Sequence, residues 1–152
     1  AARIPCIAAG PDFRAGARVT TPVDLHDVQA SLFSLTGATR PNNWHGNALE
    51  TQPDRDPERV VFSEYHGHGT RAGSFMVRRG AWKLIHNIEA PHQLFDLSAD
   101  PEELDNLFDT NQTKALELSL ALADICDPDT VHGQAEAFWQ KQVSKHLDAS
   151  AD

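Results

Sequence analysis

The densest cluster of chemistry-bearing side chains is Glu64-Tyr65-His66-Gly67-His68-Gly69-Thr70-Arg71. A carboxylate, a phenol, two imidazoles and a guanidinium arrive at the end of an apolar run, with glycines that let the backbone turn sharply. Strand ends that lead into loops are common places for binding groups. Three readings fit this segment: the wall of a substrate pocket built from Glu64, Tyr65, His66 and His68, a metal site, and a plain surface loop. Alternation along an extended chain would put His66 and His68 on one face. A zinc site needs three or four ligands, however, and no Cys pair or HExxH accompanies them. The residues therefore name no metal ligand and no catalytic group.

Other candidates are explained structurally. Cys126-Asp127-Pro128 has the Cys-x-Pro start of the motif that sulfatases convert to formylglycine, but the small residue and Arg that should follow are replaced. Cys126 also ends an apolar helical face with Leu118, Leu122 and Ile125, so it reads as a core or helix-end thiol. No G-x-S-x-G is present, and Gly67-His68-Gly69 lacks the third glycine and Lys of a phosphate loop. Asp54, Asp56 and Glu58 read as a solvated loop, although carboxylates at alternate positions could hold a weak cation. Glu102 and Glu103 read as helix-capping groups, and Arg78, Arg79 and Lys83 as the solvent face of a hairpin.

The elements that must position these groups follow from patterning. Ile4 to Ala9 is a continuous apolar run closed by Gly10-Pro11, the pattern of a strand buried on both faces. A domain seldom opens inside such a strand, so the chain is expected to be cut from something larger. Val23 to Thr36 predicts a helix, with Asp24 as N-cap, Asp27 in the capping-box position and Gly37 as the left-handed stop. Its apolar face would be Leu25, Val28, Leu32 and Leu35. Ala38 to Glu58 is a long polar loop. Val60 to Tyr65, Ser74 to Arg78, Ala81 to His86 and Gln93 to Leu97 read as antiparallel strands, with a hairpin about Arg79-Gly80. Trp82, Leu84, Phe95 and Leu97 are core by spacing. Asp100-Pro101-Glu102-Glu103 predicts a helical turn. Thr113 to Ile125 and Val131 to Leu147 predict two helices.

Composition bounds the function. The chain has 152 residues, 40% hydrophobic and 23% charged, which is ordinary globular material. Thirteen Lys and Arg against 22 Asp and Glu leave a net charge of −9, a field that repels phosphate backbones and argues against nucleic acid as partner. No run approaches the ~18 apolar residues of a membrane span. Two distant cysteines suit a reducing compartment, favouring cytoplasm over periplasm.

Laid end to end, the segments resemble the C-terminal region of a sulfatase of the alkaline phosphatase superfamily. Arg3-Ile4-Pro5 with Ala9-Gly10-Pro11 resembles that family's R-V-P…G-P strand. Arg18 to Asp27, ending in Leu35-Thr36-Gly37, resembles its V-x-x-x-V-S-x-x-D helix start and L-x-G stop. Val77 to Ile85 is similar to R-x-G-x-W-K-L-I, and Gln93 to Leu107 to E-L-Y-D-L-x-x-D-P-x-E-x-x-N-L. Glu64-Tyr65-His66-Gly67 looks most like the bacterial choline-sulfatase branch.

The resemblance implies an α/β fold, here an α+β fragment. The last strand and helix of the main sheet (1–37) and a loop (38–59) would precede a four-stranded antiparallel subdomain (60–109) and a helical tail (110–152). It implies a parent hydrolase of sulfate esters that uses calcium or another divalent metal and a formylglycine, with those groups upstream of this chain and none held by it. Glu64, Tyr65, His66 and His68 would face a small sulfate ester. A phosphonate monoester or phosphodiester hydrolase fragment shares the same lobe. A non-catalytic assembly module is the other alternative, oligomeric through an exposed sheet edge.

Overall fold

The computed structural model describes residues 4–67, 70 and 72–149. The chain forms two compact units, 1–59 and 60–152, and combines helices with a four-stranded antiparallel sheet, as the sequence implies.

In the first unit, α1 spans Leu25–Thr36. The Asp24 carboxylate accepts from the His26 and Asp27 amides, the Asp27 carboxylate accepts from the Asp24 amide, and Gly37 closes the helix at φ 69°. This is the reciprocal capping box that the spacing predicts, with Asp doing what Glu usually does. The helix buries a different face from the one expected. Asp27, Ala30 and Ser31 are buried, whereas Leu25, Leu32 and Leu35 are 72%, 58% and 45% exposed.

Polar bonding decides which side turns inward. Asp27 is fully buried and accepts from both the Asn47 amide (2.7 Å) and Arg59, whose Nη2 lies 2.6 and 2.7 Å from its two oxygens. Ser31 accepts from the Leu49 amide. The 38–58 segment, with a short 3₁₀ turn at Leu49–Thr51, is thereby tied to α1 through side chains. The strand expected over Ile4–Ala9 does not form among the described residues: these residues have no ladder and are exposed. A strand buried on both faces needs neighbouring strands for its backbone bonds, and the described residues of the first unit form none.

The second unit is built on β1 (Val60–Tyr65), β2 (Ser74–Arg79), β3 (Trp82–Asn87) and β4 (Gln93–Asp96), in the order β1-β2-β3-β4. The β2–β3 turn is one residue later than expected. Arg79 pairs with Trp82, and Gly80 takes φ 55° at the first central position, where a tight hairpin demands it. One sheet face carries Phe75, Val77, Leu84 and Leu94, all at 0% exposure. It packs on Ala115, Leu118 and Leu122 of α2 (Gln112–Ala123). Cys126 and Val131 border this core. The long helix α3 follows at Pro128–Ala149.

The motif after β4 seals its free edge. The Asn106 side-chain oxygen accepts from the Leu94 amide at 3.0 Å, and the Leu107 amide donates to the Leu94 carbonyl at 2.8 Å. The expected helical turn at Asp100–Glu103 is instead a non-helical turn in which Glu103 sits at φ 60°. That conformation aims its carboxylate at the Lys83 ammonium, 2.5 Å away. Lys83 is only 9% exposed, so it does not lie on a solvent face. Cutting Glu103 back to alanine strands this enclosed ammonium. The expected loss is about 1.5–3 kcal/mol, the scale of a hydrogen bond to a charged group, read from urea unfolding.

Candidate functional site: the end of β1 and its surroundings

Glu64 and Tyr65 are the last two residues of β1, and His66 follows. Register opposes Glu64 to Phe75 and Tyr65 to Ser74, so the two side chains leave opposite faces of the sheet. The Glu64 carboxylate is 42% exposed. Tyr65 is 51% exposed, and its ring lies against the Gly67 backbone, where a Cβ would come within 2.7 Å of it. His68 lies outside the described residues. The structure therefore brings together Glu64 and His66, with the His66 Nε2 3.8 Å from a Glu64 oxygen.

His66 is the unusual member. Neither ring nitrogen has a hydrogen-bond partner, although both are buried, and the ring meets Phe75 edge-on with centroids 5.3 Å apart. It faces a cavity of about 20 Å³ walled by Gly73, His132, Glu136 and Trp139. That space suits about one water, and buried polar groups of this kind normally find such a partner. His132 is in turn held by the Gly73 amide, which donates to its Nδ1 at 3.3 Å.

His132 and Glu136, one turn apart on α3, were invisible as neighbours of His66 in the sequence. A shared helical face at i and i+4 was the available signal. A second imidazole pair, His86 on β3 and His92 before β4, stacks with centroids 4.1 Å apart. Burial, and then His92, push the His86 pKa below its ordinary 6.5, while Asp129 pulls the other way.

Cys126 is a packing thiol, as its helical position suggests. Burial raises its pKa, with the Glu64 and Asp127 carboxylates adding to the effect, so it stays protonated and is a poor nucleophile. Asp54 pairs with Arg14, and Asp56 accepts from the Glu58 and Arg59 amides. Among the described residues no group of three His, Cys, Asp or Glu side chains could hold a metal ion. The larger cavity, about 520 Å³, lies in the first unit between α1 and the 38–58 segment, lined by Arg40, Asn47, Gln52 and Asp56 among others.

Comparison with known proteins gives this arrangement a family. The model of the N-sulphoglucosamine sulphohydrolase C-terminal family matches residues 1–126. Human arylsulfatase K is 31% identical over 119 residues, covering 70% of this chain and 22% of the human protein. Gallus gallus arylsulfatase K is 30% identical over 152 residues, covering 91% and 28%. The chain thus spans about a quarter of the length of these relatives.

Among solved structures, BT4656 in complex with its substrate D-glucosamine-2-N,6-O-disulfate superposes with a TM-score of 0.56 at 22% identity, covering 68% of this chain and 25% of that one. BT1596, a 2-O GAG sulfatase, gives 0.52 at 25% identity, covering 76% and 26%. The relatives at the top of the sequence comparison are vertebrate, so a bacterial origin does not follow from them. With the matched region reaching from the first residue to the end of the α2 segment, the chain belongs to the N-sulphoglucosamine sulphohydrolase C-terminal family.

Proposed function

We propose that this chain is the C-terminal portion of a sulfate-ester hydrolase and supplies scaffold and one pocket wall. Glu64, Tyr65, His66 and His68 would be the side chains that meet substrate. The observation that carries this reading is the family match over residues 1–126, which includes the β1 end where Glu64 and Tyr65 are exposed. Calcium and a formylglycine, as the resemblance implies, would supply the electrophile-binding charge and the nucleophile from elsewhere in a longer protein. The residues described here do not fit either group: they cluster no metal ligands, and Cys126 is a packing thiol.

What this chain's own residues do is bind and orient. The exposed Glu64 carboxylate suits a leaving group with cationic or hydroxyl character. Choline, which the choline-sulfatase resemblance suggests, is one such group. A sulfated amino sugar, the substrate seen in BT4656, is another.

The test joins the chain to an upstream sulfatase body that holds nucleophile and metal. Metal-dependent hydrolysis of an aryl sulfate, abolished by EDTA, is expected, with little on an aryl phosphate ester. Glu64→Ala should raise KM for cationic esters about tenfold, the scale of one charge-assisted contact, while kcat holds. Equal kinetics of wild type and variant across cationic and neutral esters would remove Glu64 from the pocket.

A second reading, a non-catalytic assembly module, is favoured by one feature. The outer edge of β1 pairs with no strand among the described residues, and such an edge is a template for a second chain. Light scattering separates the two: a monomer at tens of micromolar retires the module.

A further inference from the structure

The open end of the β2–β3 ribbon is fastened in an unusual way. Ser74 and Asn87 are the last cross-strand pair there. On one strand the amide of Asn87 donates to Nδ1 of His92 at 3.2 Å; just before the other, the amide of Gly73 donates to Nδ1 of His132 at 3.3 Å. Between them the Ile88 amide donates to the Gly73 carbonyl at 3.0 Å. Two backbone donors at one ribbon end are thus satisfied by imidazole nitrogens, one from the loop before β4 and one from α3. Only a neutral imidazole with an unprotonated Nδ1 can accept such a bond, because both nitrogens of the charged ring are donors.

We propose that this end of the sheet is an acid-labile double clamp, closed while His92 and His132 are neutral and released when they take up protons. The surroundings bias it that way. His92 is stacked on His86 at 4.1 Å, so charging both rings sets two cations face to face, and the flanking rings of Phe75 and Phe108 offer no counter-charge. The charged groups near the clamp come from three elements. Asp129 in the first turn of α3 acts on His86, Glu136 lines the cavity with His132, and Glu64 at the end of β1 lies beside His66. These carboxylates moderate the release. None of them can restore an acceptor at Nδ1.

For His86, the ring stacked on His92, the sign follows from burial favouring its neutral form in the fold. With the His86 pKa held below 6.5 by burial and by His92, the stability it contributes is present above about pH 6.5. It is lost as pH falls from there toward the lowered folded value. Gly73 links the clamp to the candidate pocket, since a Cβ on it would sit 2.9 Å from the His66 ring. Release therefore frees the backbone on which His66 rests, a consequence that rests on the pocket-wall reading; the clamp does not.

Amide hydrogen exchange on the 152-residue chain at pH 7.5 and pH 5.0, corrected for intrinsic rates, tests it. Protection at Gly73 and Asn87 should fall together, by about tenfold, the scale of one hydrogen bond lost at each amide. Val77 and Leu84 amides, in the ribbon's middle, should stay protected. His92→Gln offers a non-titrating acceptor and should flatten the pH dependence at Asn87. His86→Phe keeps the ring stack without the second charge and should shrink it. Unchanged Gly73 and Asn87 protection in the wild type at pH 5.0 overturns the clamp. So does a full pH response that survives in both variants. A clamp that responds as expected while Glu64→Ala leaves ester kinetics untouched would keep this inference and discard the pocket wall.

Discussion

Replacing Asp27 with alanine should destabilise the first unit by about 3–5 kcal/mol, the cost of removing one partner from a buried ion pair. Asp27 is at 0% exposure and the Arg59 side chain at 13%. The carboxylate collects the amides of Asp24 and Asn47 as well as the guanidinium, and Arg59 also donates through Nε to the Pro22 carbonyl at 3.0 Å. Its loss leaves Nη2 of Arg59 and two amides without this acceptor, and it cuts the helix cap at the same moment.

Hydrogen exchange of the α1 amides, together with Trp44 fluorescence, reads the effect locally. Trp44 reports on this region because its indole N–H donates to the His26 carbonyl and its ring meets Phe33. Pairing Asp27→Leu with Arg59→Met should recover much of the loss, since a well-packed apolar pair carries no desolvation cost. A cost below about 1 kcal/mol for Asp27→Ala would mean that water replaces the carboxylate and that the anchor is not structural.

Phe75→Ala should cost the second unit about 3–5 kcal/mol, the usual range for emptying a buried aromatic site. Phe75 is at 0% exposure on the sheet's α2-facing side, with the His66 and His86 rings on its edges at 5.3 and 6.5 Å. The cavity would open beside the clamp as well as beneath α2. Thermal unfolding followed by circular dichroism measures it. Leu116→Ala on the outer face of α2 is the control: Leu116 is 62% exposed and should stay within about 0.5 kcal/mol of wild type. Equal effects of the two would show that α2 is not packed on this face of the sheet in solution.

Much of the architecture was legible because its causes are local. The Asp24–Asp27 capping box and Gly37 stop are read from residues within one turn, and α1 starts and ends where they place it. The strands of the sheet appear within a residue or so of their expected bounds, since each is a short alternating run between turn residues. The hairpin slipped by one position because the first central place of this two-residue turn has positive φ, which Gly80 adopts freely, and this puts Gly80-Ala81, not Arg79-Gly80, in the loop. The motif ending in Asn106-Leu107 was visible as a pattern. Its purpose, closing the edge of β4, was not.

The errors share a cause. Ile4–Ala9 has the composition of a buried strand, yet a strand is a property of two chains and no partner lies beside it among the described residues. The leucines of α1 form the apolar stripe, but the side that turns inward is the one carrying Asp27, Ala30 and Ser31, where Asp27 and Ser31 take the Asn47 and Leu49 amides. Lys83 looked solvent-facing from alternation, and Glu103 looked like a cap. A left-handed backbone at Glu103 brings the two together. Ion pairs between residues twenty or thirty apart carry no periodic signal.

By itself the sequence determined most of the elements and the family, because caps, turns, alternation and motifs act over a few residues. Only the tertiary structure decided which groups meet. It set His132 and Glu136 beside His66, stacked His86 on His92, and buried Asp27 with Arg59. Those choices follow from helix rotation and strand register, which settle many enclosed polar groups together and so cannot be read one residue at a time.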